Sequence, residues 1–466
     1  MAAPPATSAD PHPFSLLERL NADAPMLEIF GEDRCVADWL AFERALASAQ
    51  AALGILSDAE AGAVLAAAAA DAPIDRAALW EQAGNVGYPI LGLVQAVVAE
   101  IPDGVQERVH YGATTQDVMD TALALALRDA LGRLDALALA LGDGLAELVD
   151  AHRATVMAGR THAQQAVPTT LGAKLAVFLD QLTRHRARLA EALPRIAVVS
   201  LHGAGGTSAA LGPRADEVRD RVALELGLAS APVPWHVARD GVVEFGQLCT
   251  QLAATVTRFA REVIDLSRTE IGELSESAGH HRGASSTMPQ KRNPIGCEAV
   301  VGLAVTATAL AAALPRAAEA GHERAAGEWQ VEWHVVPQVA CLTAAALLRA
   351  AEVVDGLAVH PDAMAANLRA DGGLIMAEAY MMALAPALGR QRAHDVLYAA
   401  ARAVREDGVD LQAAVLAACA GETAAAVPDL PAPEAYVGSA PAICDAALAA
   451  WRELSPMTIT TTTRGA

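Results

Sequence analysis

From position 123 to position 148 an apolar residue returns every third or fourth place: Leu123, Leu127, Leu131, Leu134, Ala138, Leu141, Leu145 and Leu148. Only a helix, at about 3.6 residues per turn, brings such positions onto one face. Phe245, Leu248, Leu252, Val256, Phe259, Val263 and Leu266 form a second stripe that runs on to about Ser275. Helical spacing recurs from about Thr170 to Leu193, from Glu298 to about Leu314 and from Val335 to about Val354. Stripes of this length need other long helices to cover them, which points to a bundle with coiled-coil-like packing. Composition agrees: 53% of the residues are hydrophobic but only 4% are aromatic, so the apolar surface is mostly Ala, Leu and Val. Ala and Leu are the strongest helix formers. Hardly any segment alternates apolar and polar residues with a period of two, and the expected class is all-α.

Shorter elements flank the bundle. Ala37 to Leu56 puts Trp39, Phe42, Leu46, Ala49, Leu53 and Leu56 on one face, and helices follow at Asp58 to Ala70, at Arg76 to Gln82 and around Leu91, Val94 and Val97. Beyond His360 the helices shorten again, with Leu374 to Leu388 and Ala393 to Glu406 joined by Gly and Pro turns. The expected division is an N-terminal helical domain over 1–112, a central long-helix bundle over 113–358 and a small C-terminal helical domain over 359–466. A chain of this length suits roughly three such units.

The net charge of −21 leaves no basic excess to neutralise phosphates, so nucleic acid is excluded as a partner. It does not exclude an anionic substrate, provided the cations are concentrated in the site. The six cysteines are scattered and form no CxxC pair or His/Cys cluster, so no metal, cofactor or disulfide framework is expected. Met1 to Asp10 lacks a cationic leader with an apolar core. The longest uncharged apolar run, Ala299 to Pro315, is rich in Ala, Thr and Gly and reads as a buried bundle helix rather than a membrane span. A cytoplasmic protein with no membrane partner is expected.

Four polar islands interrupt the helices: His110 to Asp117, Gly159 to Gln165, His202 to Ser208, and Gly283 to Glu298. In the last, Pro289 and Pro294 each remove a backbone donor and rule out a core helix. Its composition is open to two readings, a functional loop or a polar surface connection. In an elongated bundle such islands fall near helix tips, where backbone N–H groups and side chains can meet a carboxylate. Ser285 can serve as a base if positive charge and backbone donors stabilise its alkoxide. Lys291 and Asn293 are natural partners for an anion. His162 is the best-placed titrating group, with Glu298 able to orient it. Thr114, Thr115 and Gln116 can bond a substrate carboxylate, with Thr114 or Thr115 also a plausible helix N-cap and Asp117 in the first turn. His110 and His236 suit structural hydrogen bonds as well as substrate contacts, and Arg239 can bind a carboxylate or pair with Asp240 or Glu244. The Gly203 to Gly206 loop lacks phosphate-cradle spacing and is better explained by packing or close backbone approach.

Ala284 to Pro294 resembles the signature loop of the fumarase/aspartase superfamily, G-S-S-x-M-P-x-K-x-N-P, matching every defined position except that Ala284 replaces the first Gly. His110 to Asp117 and Gly159 to Gln165 resemble the family's other two signature regions. The resemblance implies a homotetramer with a central 20-helix bundle, whose active sites each gather loops from three subunits. It implies Ser285 as the base, Lys291 and Asn293 on the substrate or its enolate-like intermediate, and a His162–Glu298 pair as acid or proton relay. Asn85, Thr161, Ser286, Arg239 and Arg324 join Thr114, Thr115 and Gln116 as candidate substrate-binding residues. The substrate class implied is a small dicarboxylate or tricarboxylate.

Within the superfamily, Trp235-His236-Val237-Ala238-Arg239-Asp240 and Glu323-Arg324 with Trp329, Glu332 and Trp333 resemble 3-carboxy-cis,cis-muconate cycloisomerase. The run from Lys291 to Glu298 is more like adenylosuccinate lyase, whose nucleotide-binding Arg-Tyr pair has no counterpart near residue 20 and whose second histidine is Gln165. The activity expected is β-elimination on a substituted succinate, typically releasing fumarate. The alternatives are a lactonising cycloisomerase, an adenylosuccinate lyase, and an inactive structural homologue of the kind known among lens crystallins. Retention of Ser285, Lys291, Asn293, His162 and Glu298 favours an enzyme.

Overall fold

In the computed structural model the described residues are 20–277, 283, 287–288, 290–420, 427, 429–454 and 459. Ser285 and Ser286 therefore lie outside the described residues. The chain opens with helices α1 (Ala24–Ile29), α2 (Glu32–Ala52), α3 (Asp58–Ala67), α4 (Arg76–Val86) and α5 (Ile90–Ala99). Local chemistry sets their ends. Ser57 starts α3 by exchanging hydrogen bonds with Glu60, and Asp75 starts α4 by accepting from the Ala78 N–H at 3.1 Å. Gly87, with φ of 89°, ends α4 in the left-handed conformation that favours glycine.

The long elements follow: α6 (Thr115–Ala151), α7 (Leu171–Ile196), α8 (Ala215–Leu226), α9 (Asp240–Leu266), α10 (Ile295–Ala311), α11 (Leu314–Ala317) and α12 (Glu328–Asp355). The last part holds α13 (Pro361–Asn367), α14 (Ala377–Leu388), α15 (Arg390–Asp407), α16 (Leu411–Ala418) and α17 (Ala440–Leu454). One apolar core runs through α6, α7, α9, α10, α12 and α17, built on the stripes visible in the sequence. A second core joins α2 to α5 with the start of α6 and with α8. A third holds α14 to α16 against Ala158. The cores thus cut across the order of the chain, because α8 packs on α2 and α17 returns to lie against α7.

The structure departs from the expected helices in two places that matter. The Gly159–Gln165 island is a β-hairpin, β1 (Val156–Thr161) paired antiparallel with β2 (Gln164–Thr170), inserted between α6 and α7. A two-residue ladder pairs β3 (Leu274–Ser275) antiparallel with β4 (Ala358–Val359). Helix α10, expected to be buried, packs one face on α9 and α12 but leaves Ile295 43% and Val305 49% exposed. By length and composition alone Ile295–Ala317 and Glu328–Asp355 could cross a membrane, but both are built into the bundle core.

Candidate active site

At the start of α6 a single buried carboxylate organises three polar segments. Asp117 accepts from the backbone N–H of Thr114 at 3.1 Å, of His202 at 3.0 Å and of Gly203 at 2.9 Å. Its Oδ1 also lies 2.8 Å from His236 Nε2 and accepts the Ser200 hydroxyl at 3.4 Å. Thr114 is the N-cap, so Asp117 stands in the first turn, where the helix dipole favours negative charge. The α6 tip, the Gly-rich loop and the Trp235–His236 segment are joined there. Nothing in the local sequence of the Gly-rich loop signals this junction; the Thr-x-x-Asp capping pattern at 114–117 was the one trace of it.

Two residues expected to bind substrate have partners in the buried framework. Gln116 is fully buried, and its amide donates to Asp120 Oδ2 at 3.1 Å and to the His236 carbonyl at 2.8 Å. Arg239 is 2% exposed and pairs neither with Asp240 nor with Glu244. Its guanidinium donates to Asp120 at 2.7 and 3.0 Å and to Glu332 at 2.8 Å, with Trp235 stacked 4.7 Å away. Burial opposes the charge on Arg239, but the two carboxylates outweigh it and hold the group protonated. Glu244 pairs with Arg195. His236 and His110 also make structural bonds, the latter with Nδ1 2.6 Å from Glu43 Oε1.

The groups left open at this end are Thr114, Thr115 and Arg324, all half-buried, with Asn85 exposed in the last turn of α4. Arg324 Nη2 donates to the Thr114 hydroxyl at 3.4 Å and to the Ala204 carbonyl at 3.2 Å, bridging the α6 tip and the Gly-rich loop. Its Nε has no partner among the described residues. Tyr88 stacks on Trp329 at 5.8 Å and meets the edge of Trp333 at 6.0 Å, giving this end an aromatic wall.

The other expected residues sit at the opposite end. His162 and Ala163 form the hairpin tip, with φ of 50° and 62°, and His162 is exposed beside Thr161. Positive φ at both central residues is the turn geometry that matches the twist of a two-residue hairpin, here adopted by two non-glycine residues. Arg160 anchors the hairpin through two bonds to Glu273 at 2.9 and 2.7 Å, and Asn367 donates to the same carboxylate at 2.9 Å. Glu273 leads directly into the signature loop. Glu276 then caps α10, accepting the N–H groups of Gly296 at 3.0 Å and Cys297 at 2.8 Å. The neck of the loop is closed by the Asn293 N–H on the Gly283 carbonyl at 2.9 Å. A Cβ at Gly283, whose φ is +66°, would stand 2.5 Å from the Asn293 carbonyl oxygen, so this position requires glycine. Lys291 and Glu298 are exposed and Asn293 is half-buried. Glu273, Glu276 and Asn367, which position these groups, carry no motif that marks them in the sequence.

Helix α6 has 37 residues, about 55 Å at ~1.5 Å per residue, and separates Thr114 from the hairpin. Helix α9, 27 residues or about 40 Å, covers most of that span, from Arg239 beside Asp120 to the segment that reaches Glu273. One chain therefore presents Thr114 and Arg324 at one end and His162, Lys291 and Glu298 at the other. His162 and Glu298 make no hydrogen bond or ion pair with each other within the chain, so the expected pairing is not met there.

The family described as Lyase matches residues 19–308, and the one described as Adenylosuccinate lyase C-terminus matches residues 373–447. The chain is similar to 3-carboxy-cis,cis-muconate cycloisomerase of Pseudomonas aeruginosa, with 41% identity over 393 residues, 84% of this chain and 85% of that protein. It is similar to nitrosuccinate lyase of Streptomyces davaonensis, with 38% identity over 451 residues, 93% of this chain and 94% of that protein. A crystal structure of fumarate lyase from Mesorhizobium sp. BNC1 matches with a TM-score of 0.84 at 38% identity, covering 92% of this chain and 98% of that one.

Proposed function

The chain belongs to the fumarase/aspartase superfamily, in the branch of the carboxymuconate cycloisomerases, and we propose that it catalyses β-elimination on a small substituted succinate to release fumarate. The observation that carries this reading is the division of its polar groups between two ends of a long bundle. Antiparallel association sets the Thr114–Arg324 end of one chain beside the His162–Lys291 end of another. The half-exposed apolar face of α10 suits such association, and the assembly proposed is a homotetramer with sites shared by three subunits, in the cytoplasm.

In the assembled site, Thr114, Thr115 and Arg324 hold one substrate carboxylate. Ser285 takes the proton β to the leaving group, and the carbanion charge passes into the adjacent carboxylate as an aci-carboxylate beside Lys291 and Asn293. The electron pair then forms the double bond, the bond to the leaving group breaks, and His162, oriented by Glu298 of another subunit, supplies the proton that departs with it. Asn85, Thr161 and Ser286 complete the contacts.

The aromatic wall of Tyr88, Trp329 and Trp333 favours a second reading, lactonisation of a planar conjugated acid such as carboxymuconate. A panel assay separates the two: fumarate absorbance with aspartate, malate, adenylosuccinate and nitrosuccinate, alongside carboxymuconate lactonisation. Turnover of carboxymuconate only rejects elimination. With the active substrate in hand, Ser285→Ala should lower kcat by about 10²–10⁴-fold with the assembly intact. Near-normal turnover removes Ser285 from the role of base.

A further inference from the structure

A second concave surface lies on the other flank of the Gly-rich loop. A cleft of about 320 Å³ opens between this loop and the start of α8, lined by His202, Thr207, Ser208, Asp216 and Arg219 together with small residues. His202 and Arg219 are each only 2% exposed, yet neither is fully bonded. Arg219 Nη1 stands 3.5 Å from His202 Nδ1. A guanidinium can only donate, so Nδ1 accepts and the proton of the neutral ring sits on Nε2. That Nε2–H finds no acceptor among the described residues, and neither does the Nε–H of Arg219. Buried donors are nearly always satisfied, and each one left over is destabilising.

Other donors converge on the same space. Helix α8, 12 residues long, begins at the cleft without a side-chain cap, and Ala215 and Asp216 of its first turn line it, which sets the positive dipole end there; the Ala215 N–H itself donates to the Gly212 carbonyl at 3.2 Å. Thr207 and Ser208 contribute hydroxyls. The one carboxylate in the lining, Asp216, is 81% exposed and accepts from Arg219 Nη2 at 2.6 Å. It approaches from the solvent side, where a ligand would enter.

We propose that this cleft binds a small oxyanion, a phosphate or a carboxylate, between Arg219, His202 and the first turn of α8, with Asp216 as the group it displaces. The ligand must bring at least two acceptor oxygens, because His202 Nε2–H and Arg219 Nε–H are separate donors. Gly203 and Ala204 of the same loop are held by Asp117 and Arg324 on the other flank, so the bound ion fixes the loop from its second side.

The test is calorimetric titration of the intact protein with inorganic phosphate and, separately, with succinate. Saturable binding is expected at one ion per chain, weakened about tenfold or more in Arg219→Met, since a bond to a charged donor is lost. Asp216→Asn removes the competing carboxylate at an exposed position and should bind several-fold more tightly. Arg324→Ala should leave the phosphate titration unchanged. Succinate competing with phosphate identifies a carboxylate as the ligand that fits, and phosphate bound without competition identifies phosphate. No saturable uptake of either ion overturns the proposal, as does Asp216→Asn binding no more tightly; the latter decides even if Arg219→Met does not fold. Loss of binding in Arg324→Ala alone places the ion in the candidate active site, which overturns this proposal and leaves the elimination reading standing.

Discussion

Asp117 shows how much one side chain can settle. Its Oδ2 accepts two backbone N–H groups, from Thr114 and Gly203, and its Oδ1 faces His202 and His236. An asparagine there can keep only one accepting oxygen, and its amide would point a donor at donors. Asp117→Asn should therefore cost about 3 kcal/mol, read as a lower urea midpoint, because bonds to a charged acceptor are worth about 1.5–3 kcal/mol each. A midpoint within about 1 kcal/mol of the parent would contradict the junction described. Histidines set the pH response. Burial first, then nearby Arg188 and Arg184, push the His185 imidazole down to about 4, and burial with Arg219 does the same to His202. Unfolded histidines titrate near 6.5, so below that pH the unfolded chain takes up protons that these folded sites refuse. Their stabilisation is complete above about pH 6.5 and is lost as the pH falls toward 4. His110 acts in the opposite sense: burial lowers its affinity for a proton, but Glu43 more than restores it, so its contribution fades as the pH rises. Melting temperature should fall between pH 6.5 and pH 4, and His185→Gln should flatten that slope. An unchanged slope removes His185 from the account.

Helices were legible where burial is one-sided and long. The stripe from Leu123 to Leu148 became α6, and Thr114 was recognisable as its cap. The hairpin was not, because β1 and β2 are half-buried and follow no alternation that a period-two search detects. The buried partners of Gln116 and Arg239 were hidden for another reason. A polar residue near a motif reads as available until the buried partners, Asp120 and Glu332, are seen from elements far off in sequence. The packing of α17 on α6 was equally unreadable, since it rests on a missing side chain. A methyl group on Gly142 would run into the ring of Trp451, which lies over it and donates to Asp143 at 2.8 Å. Gly142→Ala should destabilise the protein by about 1–3 kcal/mol, as overpacking does. Trp451→Leu in the same chain should recover part of the loss. Strict additivity of the two changes would show that the contact is not the cause.

At the scale of the whole molecule, the separation of Arg324 from the described end of the signature loop at Lys291 leads to a prediction about mixtures. Each variant, Arg324→Ala or Ser285→Ala, should be nearly inactive by itself. Co-expressed, they should form mixed assemblies in which roughly a quarter of the sites draw both intact residues from different chains. Recovery of activity toward that level supports sites shared between subunits. Mixtures as inactive as their parents would mean that both residues serve one site from a single chain. The 37 residues of α6 then have a meaning beyond packing. The helix is a ruler, and its length sets how far apart the two ends stand if one chain's tip is to arrive opposite another's. In the proposed assembly, inserting or removing turns in any one shaft would throw every site out of register together, while the tips are free to change in sequence. New substrates are thus open to this architecture through its ends, at constant length.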